Sequence, residues 1–393
     1  MSSIVRLAWR YVCYHRLTSA ILVACLVLTL FLPIAISLLL SRFNQQILAR
    51  AESTPAIVGG VGSRLDLTLD ALYFQTELPQ ELPYGRYREL ARQRRGTAIP
   101  LHLKFAARGF PVVGTNLDYF RFRNLGLLEG EWLATLGQCV LGSEVARRLQ
   151  LGPGDKLKTD RENELDIAGN PPLIMSITGV LAPSGTADDV AVFVDVKTAW
   201  VVAGLGHGHD AVDDQTPEDL VLGRDGNNTV ASAAVASYLE ITDENRASFH
   251  FHGNPDTFPI SAIVFVPLDQ RARDLVEGTF QNDLQAQFLV PLDVIHELMA
   301  MVFRIKALFD ANTLVIASAT GLLLLLVIWL SSRLRQREME TMYKIGCGRG
   351  TMVLLQVAEL GFILAVALVL VGLLVWGTLP LAEALMRSLL LRG

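Results

Sequence analysis

Three long apolar stretches decide what this sequence of 393 residues can fold into. The first two contain no charged residue, and the third contains one, Glu359, near its start. A helix needs roughly 20 apolar residues to cross a hydrocarbon core of about 30 Å. In lipid, such a helix satisfies all of its own backbone hydrogen bonds. The sequence therefore predicts three transmembrane helices, at residues 17–41, 311–332 and 351–378.

A soluble core and a cleaved signal peptide account for these stretches less well. Buried helices of a large soluble protein could be as apolar, and the first stretch could be removed as a signal peptide. The apolar core of a signal peptide is about half as long as the first stretch, and two more stretches follow here. An uncleaved membrane anchor is therefore favoured.

Charge is divided unevenly along the chain. Ten of the 34 Lys and Arg and four of the 39 Asp and Glu lie outside residues 42–310, which leaves that segment with 24 basic and 35 acidic residues and a charge of −11. Arginines precede the first stretch, and basic residues follow the second. By the positive-inside rule, the N-terminus is cytoplasmic and residues 42–310 lie outside. An acidic chain without a basic stripe predicts no nucleic-acid partner.

These observations define a fold class and a layout. The class is a membrane protein whose α-helical transmembrane part carries a mixed α/β extracytoplasmic domain between its first and second spans. Residues 1–16 have the apolar spacing of an amphipathic helix on the cytoplasmic surface of the bilayer. Residues 42–290 form the extracytoplasmic domain, and residues 291–310 a stalk helix that continues into the second span. Residues 333–350 form a cytoplasmic loop, and residues 379–393 are too short and too charged for another span.

Short periodic runs fill the extracytoplasmic segment. Helices are predicted at 83–94 and 143–151, and the Gly-, Asp- and His-rich residues 204–228 predict a loop or mobile insertion. Alternating or apolar runs predict strands at 57–61, 65–69, 102–106, 110–114, 139–141, 174–180, 190–194, 247–252 and 260–266.

Two motifs carry a family resemblance. Residues 335–352 read RQREMETMYKIGCGRGTM, with basic residues, Glu-apolar repeats and an Ile-Gly turn before the third span. Residues 112–157 contain VVGTNLDYF, LLEGEW and VLGSEVARRLQLGPGDKL, and ITGV follows at 177–180. The first motif resembles the cytoplasmic loop of the FtsX/MacB-like permeases, the type VII ABC transporters. The second is similar to the MacB-type periplasmic core domain.

The resemblance implies a permease subunit of a bacterial inner membrane. Such a subunit forms a homodimer or heterodimer and works with a separate cytoplasmic ABC ATPase, which holds ATP and Mg²⁺. Closure of the ATPase is transmitted through the membrane helices to the outer domain. That domain exports, extracts or handles a hydrophobic, peptide or lipid-like substrate, with a periplasmic adaptor or substrate protein as a further partner. The family has four spans, so the fourth is either lost here or the sequence is cut short.

No motif predicts an enzyme. The nearest match to a phosphate-binding loop, residues 346–350, lacks the lysine and does not follow a strand. Neither Gly-x-Ser-x-Gly nor His-Glu-x-x-His occurs. ATP hydrolysis is therefore assigned to the partner, and no cofactor is expected in this chain beyond a metal ion.

The loop 333–350 is predicted to dock on the ATPase. A short amphipathic helix can seat apolar side chains in a groove while its acidic side chains pair with basic ones. The predicted docking residues are Arg335, Arg337, Glu338, Met339, Met342, Tyr343, Ile345 and Arg349. The alternative is a solvated loop whose arginines only fix the topology.

The charged residue of the third stretch is a separate functional candidate. An ionisable group within a membrane is costly unless it is paired or hydrated. Glu359 lies near the cytoplasmic interface, so it could equally reach the lipid headgroups.

Four of the seven histidines form two His-x-His pairs, His207 with His209 and His250 with His252. Alternate residues of a strand point to one face, so a pair can present two imidazoles to one metal, zinc above all. Asp210 could add an oxygen ligand. A flexible solvated turn and a half-exposed strand explain the same pattern without a metal.

The sequence as a whole favours a permease subunit that couples ATP hydrolysis in a partner to movement of its outer domain. Two alternatives stay open. One is an FtsX-like regulator that acts on an outer partner without transport, and the other is a membrane-tethered metal-binding or sensor protein.

Overall fold

The structure is a computed structural model that describes residues 2–14, 16–74, 80–161, 172–208, 221–225, 228–231, 238–334, 340–341, 343–344 and 346–390. The chain forms two compact units. One, here called the sheet unit, comprises Leu48–His296 with Leu390–Gly393. The other, the helical unit, comprises Met1–Ile47 and Glu297–Leu389.

The sheet unit is built around one large mixed sheet. Its strands are β1 (Ala56–Gly60), β3 (Gly96–Ala107), β4 (Phe110–Thr115), β5 (Leu127–Gly130), β6 (Gln138–Leu141), β7 (Lys156–Lys158), β8 (Ile174–Leu181), β9 (Val192–Asp195), β15 (Ala262–Pro267) and β16 (Ala286–Leu289). Short pairs outside it are β2 (Leu82–Pro83) with β14 (Pro259–Ile260), β10 (Gly206–His207) with β13 (His250–Phe251), and β11 (Val221–Asp225) with β12 (Asn228–Ala231).

The strand order in the large sheet is β16-β1-β15-β3-β4-β9-β6-β8-β5, and β7 also pairs with β8. Two neighbouring pairs are parallel, β4 with β9 and β6 with β8, and the others are antiparallel. β3 joins the two halves because its first part, Gly96–Leu101, pairs with β15 and its second part, from His102, pairs with β4. The pairing register shifts between His102 and Phe105, at the centre of the sheet.

Among the described residues, apolar side chains that pack on the sheet include two clusters. The first lies around β6, β8 and β9 and includes Cys139, Leu141, Val145, Ile177 and Val194. The second lies around β1 and β15 and includes Val58, Trp200, Phe258, Ile263 and Phe265. The helices that supply the rest of the sheet unit are α3 (Arg64–Tyr73), α4 (Tyr84–Arg92), α5 (Leu117–Phe122), α6 (Ser143–Leu149), α7 (Val196–Val202) and α8 (Gln270–Phe280).

The mixed α/β domain predicted from the sequence is therefore present, with local corrections. Residues 65–69 are not a strand but part of α3, which begins after Ser63, whose hydroxyl accepts a hydrogen bond from the backbone N–H of Asp66. The helix predicted at 143–151 is α6, which begins at Ser143 with Gly142 as its N-cap and ends two residues early, at Leu149. The strand predicted at 247–252 contains a 3₁₀ turn and only the two strand residues His250–Phe251.

The loop predicted at 204–228 also needs correction. It contains the strand residues Gly206–His207 and Val221–Asp225. Both pair with partners further along the chain, so backbone hydrogen bonding overrides the glycine-rich composition there. Residues 209–220 of this segment lie outside the described residues.

The helical unit contains α1 (Ser2–Tyr14), most of α2 (Arg16–Glu52), most of α9 (Pro291–Leu334) and α10 (Arg349–Leu390). α9 is one helix across the predicted stalk and second span. Within this unit the Thr29 and Thr320 hydroxyls lie 3.4 Å apart, and the Trp9 and Phe362 rings lie 5.6 Å apart. In the described part of the chain, two helices are long and apolar enough to cross a membrane, Ser19–Glu52 and Gly350–Thr378.

Candidate functional site

The last turn of α2 carries an arginine that is buried in the sheet unit. Arg50 is 7% exposed and shares one helix face with Ile47 and Ala51, which are also buried. Its Nη1 and Nη2 donate to the two carboxylate oxygens of Asp188 at 2.7 and 3.0 Å. Its Nε donates to the carbonyl oxygen of Leu72. A planar guanidinium against a carboxylate gives the strongest and most directional ion pair that side chains form.

Asp188 lies in the 3₁₀ turn Ala187–Val190 and accepts two more hydrogen bonds. The Tyr119 hydroxyl donates to Oδ1 at 2.6 Å, and the Thr186 hydroxyl donates to Oδ2 at 2.7 Å. Burial alone would raise the pKa of Asp188, but the charge and hydrogen bonds of Arg50 outweigh burial and hold this pKa well below its usual range. Asp188 is therefore ionised at neutral pH, and the ion pair is complete.

A second arginine fastens the chain immediately after Arg50. Nη1 and Nη2 of Arg123 donate to the hydroxyls of Ser53 and Thr54 at 3.0 and 2.8 Å. Both hydroxyls in turn donate to the Arg50 carbonyl oxygen at 2.9 Å. Arg50, Tyr119, Arg123 and Asp188 are called the anchor network below. It fixes the end of α2 to α5 and to the 187–190 turn through charge-assisted hydrogen bonds.

A glycine makes room for this turn. A Cβ atom on Gly142 would lie 2.4 Å from the carbonyl oxygens of both Asp188 and Asp189. These are backbone atoms, so relief of the clash requires the turn that carries Asp188 to move.

Gly142→Ala is therefore expected to destabilise the sheet unit by about 1–3 kcal/mol, the usual cost of overpacking. Hydrogen exchange of peptides over residues 187–195 in the full-length protein measures this loss as faster opening. Gly126→Ala is the matched control, since a Cβ there meets no atom within 4 Å. Equal protection in the two variants would contradict the prediction.

Three histidines of the sheet unit converge at the β10–β13 pair. The metal-binding atoms of His207, His250 and His252 all lie within 4.8 Å of one another. The structure thus brings His207 together with the second predicted pair. His209 and Asp210, the other predicted ligands, lie outside the described residues.

A cleft of about 440 Å³ opens nearby, lined by Thr115, Asn116, Leu117, Leu133, Ala134, Thr135, Leu136, Asp195, Lys197 and Phe251. Burial raises the pKa of Asp195, although the hydrogen bond from the Lys197 backbone N–H lowers it in part. Phe251, between His250 and His252 in sequence, is part of the cleft wall.

The MacB-like periplasmic core domain family matches residues 19–238, more than half of the chain. The chain belongs to this family. The resemblance to the FtsX/MacB-like permeases is thereby confirmed, and the protein is a component of an ABC transporter permease of the type VII kind.

Two solved structures are similar at low identity. The periplasmic region of MacB from Actinobacillus actinomycetemcomitans is 10% identical, with 65% of this chain and 98% of that chain covered and a TM-score of 0.36. The extracellular domain of the noncanonic ABC-type transporter YknZ from Gram-positive bacteria is 11% identical, with 60% and 99% covered and a TM-score of 0.33. Comparison with curated proteins finds no match.

The MacB-like motifs have structural roles in this chain. VVGTNLDYF forms β4 and the start of α5, so it supplies Tyr119 of the anchor network. LLEGEW forms β5, in which Gly130 has φ +80° and a Cβ would lie 2.1 Å from the Thr178 carbonyl oxygen. Only glycine fits that position. The resemblance found these motifs, but the role of Tyr119 became visible only from its contact with Asp188.

The predicted docking residues are mostly outside the described part of the MacB-like chain. Tyr343 is described and is 56% exposed. Arg349 begins α10. Arg335, Arg337, Glu338, Met339, Met342 and Ile345 lie outside the described residues. Glu359 is half-buried within α10.

Proposed function

We propose that this chain is the permease subunit of an ABC system in which a separate cytoplasmic ATPase drives movement of the sheet unit. Its α2, α9 and α10 would cross the membrane and transmit the movement to an extracytoplasmic domain, which handles a hydrophobic, peptide or lipid-like substrate. ATP and Mg²⁺ would be held by the partner, and two permease chains, identical or different, would form the complex.

The observation that carries this proposal is the anchor network. α2 is a single helix from Arg16 to Glu52, and its last turn is held in the sheet unit by a buried bidentate ion pair. Breaking such a pair by loss of one partner costs about 3–5 kcal/mol. The end of α2 is therefore firmly held within the sheet unit, as transmission of force into that unit would require.

The membrane placement is supported by the surface of the long helices. Large apolar side chains are exposed along them, including Leu28 at 72% and Trp376 at 74%. Apolar faces of this extent are unfavourable in water and suit a bilayer. Together with the charge distribution, they support an inner-membrane protein with a cytoplasmic N-terminus and the sheet unit outside.

Recovery of an ATPase with the full-length chain tests the partnership. The chain should co-purify from its native membrane with a cytoplasmic ABC ATPase that mass spectrometry identifies. Charge reversal by Glu338→Lys or Arg349→Glu should lower the recovered ATPase by about tenfold or more, because each reversal unpairs a charge at a docking surface. Arg147→Glu is the control, since Arg147 is an exposed residue of α6 that pairs within its own helix.

Recovery of the same amount of ATPase with all three variants would remove the docking role of residues 333–350. Failure of every ATPase to accompany the intact chain would overturn the proposed function itself.

A further inference from the structure

We infer that the sheet unit binds a divalent transition metal of the zinc class on His207, His250 and His252. This site is independent of the proposed transport function. It differs in composition from the local His-x-His pairs of the sequence, because strand pairing and not sequence proximity brings the first histidine to the other two.

The geometry is set by a short antiparallel pairing. Gly206 pairs with Phe251 and His207 pairs with His250, so the two histidines stand opposite each other. His252 lies two residues after His250, just beyond the end of β13, and its ring lies beside that of His250. The three ring centres form a nearly equilateral triangle: they are separated by 5.0 Å for His207–His250, and by 4.8 Å for both His207–His252 and His250–His252.

Packing and backbone hydrogen bonds fix the two strands that carry the three histidines. Phe251 lies near Trp200 and Phe258, with ring centres 6.2 and 6.1 Å away, and so fastens the strand to the second core cluster. The His252 backbone N–H donates to the Leu205 carbonyl oxygen at 3.1 Å. A Cβ on Gly206 would lie 2.6 Å from the Phe251 ring, so the glycine lets the two strands approach. The three imidazoles are therefore presented by fixed backbone.

The protonation of one ring already suits a metal. Nδ1 of His250 lies 2.9 Å from the Ser248 carbonyl oxygen. A carbonyl oxygen only accepts hydrogen bonds, so Nδ1 donates here, and in the neutral imidazole Nε2 is then the nitrogen that can bind a metal. Histidine ligands of metals almost always donate their other ring N–H to a carbonyl or carboxylate oxygen in this way.

The ligand set decides the class of metal. Imidazole nitrogens suit Zn²⁺ and its neighbours Cu²⁺ and Ni²⁺, whereas Ca²⁺ and Mg²⁺ need oxygen ligands, and no carboxylate belongs to this cluster within the described residues. Zn–N bonds of about 2.0–2.1 Å in a tetrahedron place ligand nitrogens about 3.3 Å apart. The metal-binding atoms, which now lie within 4.8 Å of one another, would reach that separation by rotation of the three side chains.

The site is suited to an exchangeable ion. Three protein ligands leave a fourth tetrahedral position for water or another donor. His207 and His250 are half-buried and His252 is exposed, so the ion can enter from solvent. The bound metal would link the segment that follows α7 to the segment around residue 251. Phe251 lies in the wall of the 440 Å³ cleft.

Zinc titration of the full-length chain tests this site. The chain, purified without a polyhistidine tag and stripped with a chelator, is titrated with Zn²⁺ in detergent or nanodiscs by calorimetry. We expect one ion per chain with micromolar or tighter affinity. His252→Ala, at an exposed position, should weaken binding at least about tenfold, since even outer-sphere partners of metal ligands contribute that much. His250→Ala should do the same.

His296→Ala is the control, because His296 is an exposed histidine on α9 outside the cluster. Co²⁺ loading provides a second measurement, with the absorption spectrum of a tetrahedral nitrogen site expected in the wild type and lost in His252→Ala. No Zn²⁺ binding tighter than millimolar would overturn the site. Binding that survives both His250→Ala and His252→Ala would also overturn it, because the ion would then sit elsewhere.

Discussion

Asp188→Asn is expected to destabilise the sheet unit by about 3–5 kcal/mol, the cost of leaving one charge of a buried ion pair without its partner. Arg50 is 7% exposed and would lose both hydrogen bonds to a carboxylate. An asparagine keeps the shape of the side chain, so the loss measures the charge and not a cavity. Because Asp188 carries two more hydrogen bonds, from Tyr119 and Thr186, the effect should extend to α5.

Hydrogen exchange by mass spectrometry suits this test, because it reports local opening in a protein that need not unfold in one step. Peptides over residues 48–54, 117–123 and 187–195 should all lose protection in Asp188→Asn. Asp189→Asn is the matched control: within the described residues, Asp189 accepts from Ser184 and Gly185 in an exposed part of the same turn, so its loss should stay near or below about 1 kcal/mol. Similar losses in the two variants would contradict a buried ion pair.

A double variant separates the ion pair from general damage. Arg50→Met with Asp188→Leu removes both charges, and apolar replacement of a buried pair is often neutral or stabilising. The double variant should therefore be more stable than Asp188→Asn alone, with clear non-additivity between contacting positions.

The stability that the ion pair contributes also depends on pH. The pKa of Asp188 lies below its usual range, so its stabilisation is complete above about pH 4 and is lost as pH falls through the folded-state pKa.

Local patterns predicted many elements of the sheet unit. Alternating or apolar runs located β4, β6, β8 and β9, because their inward side chains fill a common core. The same rule failed at residues 65–69, where three leucines alternate with polar residues. There the spacing of Leu67, Ala71 and Leu72, all buried, is helical, and the Ser63–Asp66 cap selects the helix. A short window contains both periods, and only the cap and the core decide between them.

Local sequence patterns could not predict the contacts of the candidate functional site. Arg50 and Asp188 are 138 residues apart. In the sequence they were two charges among many in an acidic segment. The histidine cluster was half predicted: the pair His250 and His252 follows from strand alternation, but the third member depends on the register of β10 against β13. Register is set by packing of Phe251 and by the adjacent glycines, which no spacing rule encodes.

His102→Leu is expected to stabilise the sheet unit in acid. As the pH falls from neutral to about 4, the stability of the variant should rise by about 3 kcal/mol relative to that of the wild type. His102 is fully buried in β3 and stands edge-on to Phe105, with ring centres 5.7 Å apart. Within the described residues neither ring nitrogen has a hydrogen-bond partner. Burial, and to a smaller extent the charge of Lys104, lowers the pKa of His102 from 6.5 to about 4.

The direction of this change in stability with pH follows from proton binding to the folded and unfolded chains. Between about pH 4 and 6.5 the unfolded chain binds a proton at this position and the folded chain does not, so stability rises with pH across that window. A pKa lowered from 6.5 to about 4, at about 1.36 kcal/mol for each pH unit, gives about 3 kcal/mol of stability that the wild type loses as pH falls across the window. Leucine has a similar volume and no proton to bind, so it removes this part of the pH dependence and leaves the rest of the acid titration unchanged.

Protection of β3 peptides, corrected for the intrinsic exchange rate at each pH, measures the difference between His102→Leu and the wild type from pH 7 to pH 4. The difference should grow steadily below pH 6.5. Leu101→Val, which changes a buried side chain of the same strand and no titratable group, should give a difference that does not change with pH. A constant difference for His102→Leu would mean that His102 takes up its proton inside the folded sheet, which requires a hydrogen-bond acceptor or water beside its ring. β3 joins both halves of the sheet at His102. Acid should therefore open the sheet unit first at this buried residue, whose ring has no hydrogen-bond partner within the described part of the chain.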